Sequence, residues 1–242
     1  MLCLSARITR EDVISLKPML THPNLTHLVL DRFQFKDEEK TARLLLETMQ
    51  SSPYVLEGAS IWTSKPVSIG VGFVFANLSC FKTKSLSIYT GMFTERKIMR
   101  GWSESFLSSE SCLEKIKLDH VTFTRLTFEL FAKGIQYCDS LNSIELTYCD
   151  FSDFGLPILI EKLPVSKKYY LLVDGKGVKR QCLNAFVLAL RRRAKKGGKF
   201  KDLILRDFFF EIVEQKLLFA VFKPELQRPW IFPRMTVSSY AL

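Results

Sequence analysis

The stretch CDSLNSIELTYCDFSDFGLPILIEKL, residues 138–163, decides the fold. Its first half sets Leu141, Ile144, Leu146 and Phe151 on a ladder written L-x-x-L-x-L-x-x-x-x-F, the mark of a short strand with one apolar side. Its second half sets Leu156, Leu159, Ile160 and Leu163 at i, i+3, i+4 and i+7, which puts four apolar side chains on one face of a helix. A strand and a helix that each carry a single apolar face cannot bury it alone, so neighbours of the same kind must stack on them and share one core.

Such neighbours occur along the whole chain. The ladder returns seven times, with first positions at Leu25, Leu56, Thr83, Leu113, Leu141, Lys168 and Phe200. Clear copies read Leu25, Leu28, Leu30, Phe35, then Leu113, Ile116, Leu118, Phe123, then Phe200, Leu203, Leu205, Phe210. The helix spacing tests the period independently, and it recurs at one fixed offset from the ladder. It gives Val71, Val74, Phe75 and Leu78; Phe128, Phe131, Ala132 and Ile135; and Leu183, Phe186, Val187 and Leu190. The first copy is shifted by about two residues, to Ala42, Leu45, Leu46 and Met49. The third is the poorest match, with Ile98, Trp102 and Phe106, and Leu218, Phe219 and Phe222 complete the last. Within residues 8–20, Val13, Leu16 and Leu20 stand where a helix should be, so the chain is expected to open in mid-repeat. Strands alternating with helices also describe a doubly wound parallel sheet. That fold does not demand equal offsets in every unit, and no Gly-rich phosphate loop follows any strand, so a solenoid is the preferred reading.

Residues 138–163 resemble the cysteine-containing and ribonuclease-inhibitor-like classes of leucine-rich repeat. In those families Cys or Asn stands three residues after the last strand leucine, and Cys149 fills that place. A short S-D-x-G-L turn then opens the helix, as Ser152, Asp153, Gly155 and Leu156 do, and Cys112 and Cys138 stand just ahead of Leu113 and Leu141. Elsewhere the equivalents of Cys149 are Phe33, Val121 and Phe208, so apolar groups mostly replace the family's buried polar ladder. The resemblance spans about residues 8–222. It implies an α/β fold, a leucine-rich-repeat solenoid (horseshoe) with a parallel inner sheet and outer helices. About seven full repeats plus an N-terminal half-repeat would occupy residues 1–223, followed by a C-terminal tail at 224–242. It also implies protein binding on the inner face. Proteins with such repeats commonly serve as substrate receptors of cullin-type ubiquitin ligases through an N-terminal F-box. About two dozen residues precede the first full ladder, too few for that three-helix module, so the matching expectation is a receptor fragment or a chain that works without one.

Composition narrows the class. The 242 residues are 47% hydrophobic, enough for a long continuous core in one domain. The longest apolar stretch, residues 67–81, is too short and too broken by Gly, Ser and Asn to span a membrane, and no membrane partner is expected. The opening residues are not expected to act as a signal peptide, because Arg7, Arg10, Glu11 and Asp12 interrupt them. Six cysteines lack close C-x-x-C pairs, which reads as reduced thiols in an intracellular protein, cytoplasmic or nuclear. His22, His27 and His120 stand in no ligand pattern with them, so neither a metal nor a cofactor is expected.

Thirty-five Lys and Arg against twenty-five Asp and Glu give a net charge of +10, which favours acidic partners. The densest basic patch is Arg191, Arg192, Arg193, Lys195, Lys196 and Lys199, ahead of and just beyond Gly197 and Gly198. It reads as cations at the negative end of a helix with a glycine stop. The alternative is a basic nuclear or nucleic-acid-binding factor using residues 191–201. Residues two, four and six past each ladder start should face the concave side, and they include His27, Asp31, Trp62, Tyr89, Lys115, Lys117, Glu145 and Tyr170. This mixed chemistry suits a protein or peptide partner, and nothing in it assigns an oligomeric state. Trp62 and Tyr89 share one offset in adjacent units, so they should lie on neighbouring strands ~5 Å apart and form the hot spot. No catalytic motif appears, and Asp174, Gly175, Lys176 and Gly177 read as a turn rather than a phosphate loop, so the chain is not expected to be an enzyme.

Overall fold

The computed structural model describes residues 1–63, 68–93, 96–107, 111–151, 155–174, 178, 180–206 and 208. Ser152, Asp153, the turn residues Gly175, Lys176 and Gly177, the helix expected at Leu218, Phe219 and Phe222, and the tail 224–242 lie outside them. Among the described residues, eight strands alternate with seven helices. They are β1 (Leu2–Ile8), α1 (Arg10–Leu20), β2 (His27–Phe35), α2 (Glu38–Ser51), β3 (Gly58–Trp62), α3 (Ile69–Ala76) and β4 (Ser85–Phe93), then α4 (Arg96–Gly101), β5 (Lys115–Phe123), α5 (Arg125–Tyr137), β6 (Ser143–Thr147), α6 (Gly155–Lys162), β7 (Tyr169–Asp174), α7 (Arg180–Lys195) and β8 (Phe200–Arg206). The strands form one open parallel sheet in strict chain order from β1 to β8, and consecutive helices pack side by side. A doubly wound sheet reverses its strand order at a switch point, and this one does not.

Register follows the ladder. Leu28 pairs with Ala59, Leu86 with Ile116, Ile116 with Ile144 and Ile144 with Leu171, so the ladder positions stack from strand to strand. Leu28, Leu30, Leu86, Ile88, Ile116, Leu118, Ile144 and Leu146 are all buried, and all sixteen helix positions predicted at the common offset are buried as well. The helices start where short polar side chains can cap them. Thr9 and Thr124 close reciprocal caps with Asp12 and Thr127, and Ser68 accepts from the Val71 amide. After α4 the chain widens into a π-helical turn at Trp102–Phe106, where Trp102 is fully buried, so the poorest copy of the helix pattern is also an irregular one.

Two details of the strands were not expected. First, the opening half-repeat has its strand: β1 pairs Leu2 with Leu28, Leu4 with Leu30 and Ile8 with Phe35. Ile8 stands four positions past Leu4 where Phe35 stands five past Leu30, so β1 does not carry the full ladder spacing. Second, Arg32, Thr90, His120 and Tyr148 all adopt left-handed backbone, with φ between 45° and 55°. Each stands seven residues past a ladder start. The inward residues on either side, such as Leu118 and Val121 or Leu146 and Cys149, are three apart, an odd number that would flip a flat strand to the wrong face. One left-handed residue turns the backbone there and returns the next side chain to the core, and across β4 and β5 the two turns, at Thr90 and His120, lie in register.

The loops that lead into the strands are tied backwards. Lys82, Cys112, Ser140 and Lys167 each stand one residue before a ladder start. Lys82 Nζ donates to the Gln50 and Ser52 carbonyls at 3.1 and 2.8 Å, and Cys112 Sγ donates to Thr83 O at 3.6 Å. Ser140 Oγ donates to Ser111 O and Leu113 O at 2.7 and 2.8 Å. Lys167 Nζ donates to the Cys138, Asp139 and Leu141 carbonyls. These donors serve carbonyls that a helix end and its loop leave without intrahelical partners.

Candidate protein-binding face

One side of the sheet is covered by the helices, and the other carries the residues two, four and six past each ladder start. Strand pairing lines them up in rows. Trp62 at the end of β3 pairs with Tyr89 on β4, and their rings lie parallel, 10° apart in plane with centroids 3.9 Å apart. That is closer than the strand spacing of ~4.8 Å, so the two rings lean together. The next residues fasten them. Thr63 Oγ1 donates to Thr90 O, Thr90 Oγ1 donates to Thr63 O at 3.0 Å, and the Thr63 amide donates to Tyr89 O at 3.2 Å. A stacked pair contributes ~0.5 to 1.5 kcal/mol beyond its buried area, yet Trp62 remains 39% exposed where Trp102 is 0% exposed. An apolar ring held rigid in solvent makes Trp62 a candidate anchor for a partner.

Lys117 on β5 extends this wall, with Nζ 5.3 Å from the Tyr89 ring centre. Lys115, two residues back on the same strand, is paired with Glu145 at 2.6 Å across to β6. Beside that pair a shallow recess of about 580 Å3 is lined by Lys115, Asn142, Ser143, Glu145, Tyr170 and Lys201. On the other flank the His27 ring leans over Gly58, where an added Cβ would meet it at 2.8 Å. Asp31 lies 3.9 Å from the Arg32 guanidinium in an exposed contact, worth little in water. The structure therefore brings Trp62, Tyr89 and Lys117 together at the middle of the sheet. His27 and Asp31 stand on one side of them, and Lys115, Glu145 and Tyr170 on the other. At β7 the face closes over, and Leu172 and Asp174, expected to be open, are buried.

Sequence reasoning missed the rim of this face. His120 and Tyr148, both left-handed, stack at 4.8 Å, and His120 Nδ1 meets Asp119 Oδ1 at 2.5 Å. The three-residue gap between the inward residues of each strand was the available signal. Missing glycines hid it.

The basic patch is not one surface. Arg191, Arg192, Lys195, Lys196 and Lys199 are exposed, but Arg193 is buried to 3% exposure. Its guanidinium donates to Leu163 O, to Pro164 O at 2.8 Å and to Lys167 O at 3.2 Å, and it lies 5.0 Å from the Phe200 ring centre. Burial pushes its pKa below the usual arginine range. The physical reason is the loop after α6, whose carbonyls need donors and find them in a planar fork. Arg192 is taken up by Glu161 at 2.6 Å, and the helix stops at Gly197 with φ 81°.

Among the described residues, no three His, Cys, Asp or Glu side chains converge as metal ligands, and no helix is long and apolar enough to cross a membrane. Neither a scan against protein-family models nor a search of curated proteins gives a match to this chain.

Proposed function

We propose that the chain is a leucine-rich-repeat solenoid, a horseshoe of about seven repeats with an N-terminal strand and helix ahead of them. Its concave face holds a protein or peptide partner without catalysis. The observation that carries this reading is the stacked and fastened Trp62–Tyr89 pair, with Trp62 exposed, at the centre of the open sheet face. The chain-ordered parallel sheet supports it, because that layout leaves one broad face for contact. All six cysteines are free thiols, and Cys138, Cys149 and Cys182 are buried, which supports a place inside the cell, in the cytoplasm or nucleus. A substrate-receptor role in a ubiquitin ligase is one form this function would take. The basic-factor alternative loses ground with Arg193 committed to the interior and Arg192 to Glu161.

The test is affinity purification from the native cell with wild type beside a Trp62→Ala, Tyr89→Ala double variant, with nuclease-treated controls. The expected outcome is a set of nuclease-resistant partners lost in the double variant and bound again by the purified wild-type chain. A cullin adaptor among them would speak for the ligase form. Partners kept by the double variant but lost with nuclease would return the function to the exposed cations of the basic patch.

A further inference from the structure

Across β3, β4 and β5 the residues four past the ladder start are Ser60, Ser87 and Lys117, and they pair in register, Ser60 with Ser87 and Ser87 with Lys117. At parallel-sheet spacing this is a straight row ~10 Å long, running along the foot of the Trp62–Tyr89 wall. Among the described residues neither serine hydroxyl makes a hydrogen bond, and no carboxylate pairs with Lys117. Its neighbours differ: Lys84 is held by Glu57 at 2.8 Å and Lys115 by Glu145 at 2.6 Å. Lys117 is thus a cation of this central face with no carboxylate in salt-bridge contact, set between Ser87 on β4 and Glu145 on β6, whose carboxylate is taken up by Lys115, and backed by the Tyr89 ring. The net charge of +10 draws acidic chains to the surface as a whole.

Building on the concave-face reading, we infer that the partner presents an extended acidic segment. An Asp or Glu carboxylate is received by Lys117 Nζ with the Ser87 and Ser60 hydroxyls, and an adjacent apolar side chain lies against the exposed edge of Trp62. Charge-assisted hydrogen bonds supply the specificity and the ring supplies the buried area.

The experiment uses the full chain, immobilised, and a phage-displayed library of random dodecapeptides. The library is panned in parallel on wild type, Lys117→Glu, Lys117→Gln and the Trp62→Ala, Tyr89→Ala variant, after circular dichroism shows that each is folded. The strongest peptide is then synthesised and titrated by fluorescence anisotropy at low and high salt. The expected result is enrichment of Asp or Glu beside a large apolar residue. Affinity should fall about tenfold or more in Lys117→Glu and less in Lys117→Gln, with weakening at high salt, and Lys117→Glu should select basic peptides instead. Peptides lost in the aromatic variant but bound equally by Lys117→Glu would overturn the acidic segment and leave the concave-face reading standing. Peptides bound equally by every variant would overturn both. A selection that enriches nothing, or a single-stranded oligonucleotide that binds through Lys117 in its place, overturns the acidic segment.

Discussion

Arg193 shows at the scale of one residue how far charge and exposure part company. Six cations crowd the end of α7, and one of them turns inward to serve the three carbonyls that end the preceding loop. Removing it leaves those acceptors bare and also strips packing from Phe200. Arg193→Ala should lower stability by ~2 to 4 kcal/mol, whereas exposed Arg191→Ala should change it by less than ~0.5 kcal/mol, as urea midpoints would show. Cys149 offers a second case. Its thiol donates to Leu118 O and Thr147 O, both at 3.4 Å, and burial pushes its pKa up to about 12. An unfolded cysteine titrates near ~8.5. Between those values the unfolded chain has released a proton that the folded chain keeps, so stability falls as pH rises, by up to ~1.4 kcal/mol per unit. Cys149→Ser keeps a donor but not the titration. Thermal midpoints followed from pH 8 to pH 11 should fall more steeply for wild type than for the serine variant, whatever the offset between them at pH 8.

At the scale of the element, close approach decides what local propensity cannot. Gly70 opens α3, its amide donates to the Glu38 carboxylate at 2.7 Å, and a Cβ there would come 2.8 Å from Glu38 O and from the Phe35 ring. The acidic group at the start of α2 thus also serves the positive end of its neighbour. Helix propensity alone would credit Gly70→Ala with up to ~1 kcal/mol of added stability. The clash with a backbone carbonyl reverses the sign. The expected result is a loss of ~1 to 3 kcal/mol, read from the same urea midpoints, as two packed helices are pushed apart. The strands carry a parallel lesson. Their left-handed residues are Arg, Thr, His and Tyr, of which only His is a type enriched in that conformation, yet each stands where an odd spacing, as between Leu118 and Val121 or Leu146 and Cys149, calls for it.

For the molecule as a whole, the legible part was whatever repeats. The helix faces at Phe128, Leu156 and Leu183 and the ladder at Ile116 and Ile144 could be read from spacing because one geometric constraint recurs in every unit. The pairing of Trp62 with Tyr89 followed from the same count. What could not be read depended on a break in the period or on a neighbour. β1 was hidden because it is one residue short between Leu4 and Ile8. Arg193 was misplaced because its acceptors belong to a loop some thirty residues earlier, and the Lys115–Glu145 pair became visible only once two strands lay side by side. The backward-reaching donors carry a further implication. Lys82, Ser140, Lys167 and Arg193 all satisfy carbonyls earlier in the chain. In a polypeptide made N-terminus first, the carbonyls these four side chains serve therefore emerge before their donors. At those places a later segment completes an earlier one, so an interrupted synthesis would leave the preceding loop without its donor.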